Sequence, residues 1–251
     1  MTLPDATAAT TSAPDADQER WTAYWSRWAA EYDDHQLTRL AQHGERETWT
    51  RIWESALPSS AREVLDVGTG SGTVALLVAA TGRDVTGIDL AGGMLERARA
   101  KAADHPHPPR FLPGDAVAPP FTPGSFDAIV SRYLLWTLRD APAALRAWHD
   151  LLRPGGTLAA IDARWFAPDG SLPQETERQA HFAAAYDEDA FARLRFGTAD
   201  LERIRADWEA AGFTDVQVRA LPELLELDCA HGMAPGHSPA LQHLITARRA
   251  D

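Results

Sequence analysis

The sequence predicts an α/β fold, a doubly wound and mostly parallel sheet, and three observations predict it. An apolar strand at Val64, Leu65 and Val67 breaks into alternating glycines and then a helix. A second strand ends in an acid, Asp89, 21 residues after Gly68. Strands and helices then keep alternating as far as Asp162, the pattern of a parallel sheet covered on both faces.

Taken in order, residues 1–18 are Ala, Thr, Pro and Asp with almost nothing to bury, and a disordered tail is expected there. Residues 19–57 are expected to form an N-terminal helical cap. Trp21, Trp25, Trp28 and Tyr32 recur at intervals of four, three and four and so share one helical face, while Trp49, Ile52 and Trp53 make a second stripe on a helix ending before Pro58. The main domain is expected over residues 58–251. In its first strand Asp66 interrupts an apolar run, where a charge must be hydrogen-bonded; its expected task is to orient the glycine turn. Gly68, Gly70 and Gly72 let the backbone turn sharply and let a ligand approach where a Cβ would clash. The helix from Thr73 to Ala80 then points its free amides at the turn, which favours an anionic ligand group. The second strand, Asp84 to Ile88, ends in Asp89, the position at which an acid holds a ribose diol.

A dinucleotide fingerprint would carry its third glycine at position 73. Thr73 stands there and the extra glycine is Gly72, which weakens a pyrophosphate reading. Beside this turn stand VTGIDLAGGML (Val85 to Leu95), FLPGDAVAPPF (Phe111 to Phe121), FDAIVSRYLLWTL (Phe126 to Leu138) and LLRPGGTLAAID (Leu151 to Asp162). With VLDVGTGSG (Val64 to Gly72) they occur in the order found in class I S-adenosylmethionine-dependent methyltransferases of the small-molecule type. The chain resembles that family closely over residues 20–163 and loosely beyond.

The resemblance implies a Rossmann-like sheet of seven strands with an antiparallel last strand. It implies S-adenosylmethionine as cofactor and S-adenosylhomocysteine as product. It places Asp66, Gly68, Thr69 and Gly70 at the cofactor, and Asp89, Leu90 and Met94 at its ribose and adenine. It makes Asp115 the acceptor for the adenine amino group and the Ala116 amide the donor to a ring nitrogen. Ser131 or Arg132 would touch the methionine moiety through backbone, and Trp25, Tyr32 and Asp33 match a pattern that lies over the cofactor and closes the pocket.

Beyond the fifth strand, residues 163–198 carry Pro168, Gly170 and Pro173 and then a charged, aromatic helix. An insertion there sits at the carboxyl edge of the sheet, where open α/β sheets bind ligands, and is expected to be a substrate lid. An amphipathic helix at Asp200 to Ala211, a strand at Thr214 to Ala220, a loop through Cys229, Gly232 and Pro235, and a last strand at Leu241 to Ala247 complete the chain.

A sulfonium is already an activated leaving group, so the protein's main tasks are alignment and exclusion of water. A base is needed only if the acceptor carries a proton. The candidates are His35, Tyr133 and Tyr186, with His181 and Asp187 on the lid; Tyr133 and Trp136 can also shape an acceptor pocket for a compact aromatic or apolar body. The expected reaction is methyl transfer to an O, N or C atom of a small, secondary-metabolite acceptor. Attack on the methionine side-chain carbon, or a catalytically silent binding protein, are the alternatives.

The net charge of −12 disfavours a nucleic-acid partner, which needs Lys and Arg to neutralise phosphates. One cysteine, Cys229, excludes a disulfide framework, and the nine histidines fall in no metal-binding spacing, so no metal is expected. No apolar run approaches the length of a membrane span and no secretion signal is evident, so a cytoplasmic monomer or homodimer without membrane contact is expected. Lys101 is the only lysine beside 23 arginines in an alanine-rich chain, a skew that points to a high-GC bacterial genome.

Overall fold

The computed structural model describes residues 16–42, 44–165, 176–187, 189, 194, 201–233 and 239–251. Among them seven strands form one sheet: β1 (Glu63–Val67), β2 (Asp84–Asp89), β3 (Arg110–Pro113), β4 (Phe126–Arg132), β5 (Leu152–Ala163), β6 (Phe213–Leu221) and β7 (Gln242–Arg249). Their order is β3-β2-β1-β4-β5-β7-β6. The first five pair in parallel, and β7 runs antiparallel between β5 and β6, so the Rossmann-like sheet with its antiparallel last strand is as expected. Strand order reverses between β1 and β4, and their tips therefore flank a crevice at the carboxyl edge of the sheet.

Nine α-helices occur among the described residues: α1 (Ala16–Arg27), α2 (Ala29–Leu40), α3 (Glu45–Ala56), α4 (Thr73–Ala79), α5 (Gly92–Ala102), α6 (Ala141–Leu151), α7 (Glu177–Ala185), α8 (Leu201–Ala210) and α9 (Pro222–His231). Alternation along the strands sorts side chains to two faces. Val64, Val85, Ala128 and Val130 pack with Trp49, Ile52 and Trp53 of α3, Val74 and Val78 of α4 and Leu95 of α5. Leu65, Val67, Ile129 and Leu158 pack with Leu145 and Trp148 of α6 and Trp208 of α8. Each such fully buried large apolar side chain contributes roughly 1.5–3 kcal/mol, and the strands read as apolar runs because both faces are covered.

Four expectations need correction. Ala16, Asp17 and Gln18, assigned to the tail, begin α1, where Asp17 is buried and accepts from Arg20 at 2.7 Å; residues 1–15 lie outside the described residues. The aromatic stripe is split between α1 and α2, because Trp28 leaves helical geometry (φ −94°, ψ 8°), although i to i−4 bonds continue on either side. The segment read as a loop through Cys229 is α9, begun by Pro222 in its first turn and stopped at Gly232. Its apolar residues make no continuous stripe, which is why periodicity missed it; Pro235 lies outside the described residues. The fifth strand, which the apolar run of the sequence places at Thr157 to Asp162, starts five residues earlier, at Leu152.

Of the expected lid, residues 166–175, 188, 190–193 and 195–198 lie outside the described residues. Its helix α7 is capped reciprocally by Thr176 and Gln179 and packs on α1. Trp21 Nε1 donates to the Ala185 carbonyl at 2.9 Å, and Arg178 donates to Tyr24 Oη at 3.2 Å and to Glu31 at 2.8 Å. Helices α1 and α2 roof the crevice, and α7, packed on α1, is followed by Tyr186, which also lines it.

Candidate functional site

The glycine turn is built from below. Asp66 is 1% exposed, and its Oδ2 accepts from Thr69 Oγ1 at 2.6 Å and from the Ala75 amide at 3.1 Å, tying the turn to α4. Burial pushes its carboxyl up to about 7 against these hydrogen bonds. Ser131 Oγ donates to the Val67 carbonyl at 3.1 Å and ties β4 to β1. The side chains of Asp66, Thr69 and Ser131 do not line the cavity; a buried polar group must spend its hydrogen bonds on near neighbours, and these hold the turn, the task expected of Asp66, while Ser131 was expected to reach a ligand through backbone alone. Gly68 has φ +66°, and a Cβ there would come within 2.6 Å of Leu134, so the turn and the loop after β4 approach as only glycine allows.

Above the turn a cavity runs along the strand tips, lined by Gly68, Gly70, Asp89, Leu90, Met94, Asp115, Ala116 and Arg132, all expected there. Asp89 accepts from the Gly70 amide at 2.9 Å and the Ala91 amide at 2.8 Å; desolvation raises its pKa and the amides oppose it. It thus shapes the glycine turn as well as facing the cavity. Asp115 accepts from the Val117 amide at 2.9 Å and is gripped through both oxygens by Arg139, which also donates to Gln18 of α1 at 3.0 Å. Arg139 was not singled out in the sequence, since nothing in its spacing pairs it with Asp115.

Trp25 and Tyr32 line the roof, with rings 5.8 Å apart and edge-on. Asp33 does not. It is 1% exposed, faces α5, accepts from Arg97 at 2.9 Å and is paired with Lys101, whose Nζ lies 3.3 Å from Ser71 Oγ beside the glycine turn. The pocket-closing role expected of it is replaced by an ionic anchor between α2 and α5, because one residue further along the helix points away from the cavity.

The base candidates separate by environment. His35 lines the cavity, and burial together with Arg39 and Arg178 lowers its pKa, so its imidazole is neutral near pH 7. Tyr133 and Tyr186 also line the cavity, but burial drives both hydroxyls far above their usual range, which makes them walls and hydrogen-bond donors. Tyr186 Oη is fixed by Trp25 Nε1 at 2.9 Å and Thr137 Oγ1 at 2.7 Å, and its ring stacks on Trp21 at 5.1 Å. His181 packs on Trp28 and Asp187 pairs with Arg20 at 2.9 Å; neither lines the cavity.

Tyr133 has φ +59°, a strained conformation for a bulky residue, and donates to Gln242 Oε1 at 2.7 Å. Gln242 donates to Asp228 at 2.9 Å; Arg39 joins Asp228 at 3.0 Å to Glu45 at 2.8 Å and also reaches the Gly232 carbonyl. This buried chain, missed in the sequence because its members come from α2, α3, α9 and β7, closes the end of the cavity walled by Trp49 and Trp165. No group of three metal-ligating side chains, and no helix long and apolar enough to cross a membrane, occurs among the described residues.

An acid beside a glycine turn, a second acid after β3 and an aromatic roof fit an adenosyl cofactor. Comparison with known proteins agrees. A family model described as a methyltransferase domain matches residues 65–160. A demethylmenaquinone methyltransferase of Thermus thermophilus is 36% identical over 55% of this chain and 63% of its own length, so the chain spans just under two thirds of that relative. A 2-phytyl-1,4-naphtoquinone methyltransferase of Thermosynechococcus vestitus is 33% identical over 66% of this chain and 78% of its own length. In fold, the chain is similar to phosphoethanolamine N-methyltransferase 2 of Haemonchus contortus solved with S-adenosyl-L-methionine, with a TM-score of 0.66, 17% identity and coverage of 90% of this chain and 57% of that one. The chain belongs to the class I S-adenosylmethionine-dependent methyltransferases.

Proposed function

We propose that this protein transfers the methyl group of S-adenosylmethionine to an O, N or C atom of a compact acceptor with an aromatic or apolar body. The observation that carries the reading is one cavity that joins Gly68, Gly70, Asp89 and Asp115 to an aromatic-walled space beside His35, Tyr133 and Trp165. The bound cofactor supplies an activated methyl group, whose carbon–sulfur bond breaks with its electron pair going to sulfur as the acceptor's lone pair forms the new bond.

The chain's own residues do the rest. Asp89 is placed for the ribose hydroxyls, and the Ala116 amide and Asp115 for the adenine edge. Trp25, Trp136 and Tyr186 keep water from the methyl carbon, which shortens the approach of the nucleophile and removes the competing hydrolysis. Where the acceptor atom carries a proton, neutral His35 receives it. Tyr133 and Tyr186 stay protonated and shape the walls. The two relatives above are named for quinone-type acceptors, and planar rings of that kind suit walls of Trp49, Tyr133 and Trp165. A secondary-metabolite acceptor is part of the same proposal.

The test is mass spectrometry of reactions with S-adenosylmethionine, with and without a pool of cell metabolites. A metabolite heavier by one methylene, formed together with S-adenosylhomocysteine, supports methyl transfer. Thioether released without any acceptor, or an acceptor carrying the aminocarboxypropyl group, overturns it in favour of attack on the methionine side chain.

A further inference from the structure

The cavity has two ends. With the base at Asp115 and the ribose at Asp89, the cofactor lies along the tips of β3, β2 and β1, and the acceptor takes the space past β4. Tyr133 walls that space, its ring edge-on to Trp49 at 6.4 Å and to Trp165 at 4.8 Å. The carboxylates there are already spent. Arg39 gives its Nε to Glu45, one Nη to Asp228 and the other to the Gly232 carbonyl, and the second Asp228 oxygen accepts from Gln242. The Glu45 and Asp228 side chains are 3% and 5% exposed, so this network is closed on itself and offers a ligand little.

Arg132 is the exception. Its guanidinium carbon lies 4.8 Å from the ring centroid of Trp49 and 4.8 Å from that of Tyr133, so the side chain turns from the tip of β4 toward the cap. Among the described residues its one hydrogen bond is to Gln36 Oε1 of α2, at 2.9 Å, and no carboxylate pairs with it. Asp66, which feels its charge, is spent on Thr69 and Ala75 beneath the turn. Two aromatic rings and one neutral acceptor hold the guanidinium in place and leave most of its N–H donors facing the cavity. A planar fork of donors matches a carboxylate through two parallel hydrogen bonds.

We propose that the acceptor is a planar acid, an aromatic body bearing a carboxylate, and that the Arg132 fork binds that carboxylate while Tyr133 and Trp165 flank the ring. The inference rests on the methyl-transfer reading above and deepens it, because that reading asks only for an aromatic or apolar body and leaves its charge open. Gln36 and Trp49 come from α2 and α3, outside the matched segment 65–160, so the subsite belongs to the cap of this chain and not to the matched domain alone. A neutral molecule of the same shape is disfavoured, since it covers a cation and gives it no counter-charge.

Calorimetric titration of wild type, R132Q and R132K, each saturated with S-adenosylhomocysteine, with 2-naphthoate and with 2-naphthamide tests this. The two probes share one planar body and differ in the charge of a single group. Wild type is expected to bind the naphthoate about 10- to 100-fold more tightly than the amide, the range for hydrogen bonds to a charged group. R132Q should bring the two within about threefold while its affinity for S-adenosylhomocysteine stays within about threefold of wild type, and R132K should recover part of the preference. Naphthoate bound no more tightly than the amide by wild type, binding of neither included, or a preference kept in R132Q, overturns the subsite and leaves the methyl-transfer reading standing. R132Q that weakens S-adenosylhomocysteine beyond that range also overturns it and assigns the fork to the cofactor. Wild type that binds no S-adenosylhomocysteine overturns the cofactor reading itself.

Discussion

Asp66→Asn should flatten a pH-dependent component of stability. The Asp66 carboxyl is 1% exposed and burial pushes its pKa from 3.8 up to about 7, while an unfolded chain would return it to its ordinary value. The folded state therefore binds the proton more tightly, and stability is fullest when the group is protonated. It declines as pH rises from the unfolded pKa to the folded one and is level above. A pKa difference of one between the two states corresponds to about 1.36 kcal/mol, so the group withdraws about 2–3 kcal/mol between pH 5 and pH 8. An asparagine oxygen can accept from Thr69 and Ala75 without bringing a charge, so the variant should gain that amount on wild type across the same interval. Asp162, whose carboxyl burial also pushes up to about 7, adds the same slope to both proteins and cancels in the comparison. Urea unfolding of both proteins at pH 5 and pH 8 measures the difference. Identical pH dependence in the two would refute the claim that Asp66 is held as a buried acid beneath the turn.

Three further outcomes are expected. Asp89→Asn replaces one acceptor oxygen by a donor facing the Gly70 or Ala91 amide, and should weaken S-adenosylhomocysteine by about 1–3 kcal/mol in calorimetry; unchanged affinity removes Asp89 from the site. His35→Gln should lower kcat by about 100-fold for an acceptor that carries a proton and abolish the acid limb of the pH–rate profile, which in wild type lies below pH 6.5 because the pKa of His35 is lowered; a retained limb assigns the base elsewhere. Gly93→Ala would press a methyl group into the Ser26 carbonyl oxygen where α1 crosses α5, at a cost of about 1–3 kcal/mol, whereas Gly92→Ala meets nothing within 4 Å; equal midpoints in denaturant for the two variants would show that α1 yields freely.

The sheet and the cofactor half were legible because their chemistry is local. A strand, a glycine turn, a helix start and an acid on the next strand follow one another within a few tens of residues, and each is constrained by backbone geometry as much as by contacts. What escaped is non-local or depends on small departures from a pattern. The spacing of Trp21, Trp25, Trp28 and Tyr32 is compatible with one helix, and only the packing of α1 on α7 and of α2 on α5 shows why the chain leaves helical geometry at Trp28. Asp33 was read by its neighbour Tyr32, but its direction is set by Arg97 and Lys101, more than sixty positions away. Arg39, Glu45, Asp228 and Gln242 look like ordinary surface residues in sequence and meet only when the last strand enters beside β5. Asp66 lay between the two cases: its burial was evident from the apolar strand, and its partners Thr69 and Ala75 were close in sequence.

The link between Asp33, Lys101 and Ser71 involves the molecule's single side-chain amine, and that amine sits in the seam between α2 and the glycine turn, with 18% of its side chain exposed. Reagents that acylate lysine have one side-chain address on this chain, and reaching it requires the seam to part. The rate at which Lys101 is labelled, followed as a mass increase on one peptide, is therefore an intrinsic clock for the cap lifting from the sheet, read without introducing a probe. Ligand that closes the cap should slow that clock.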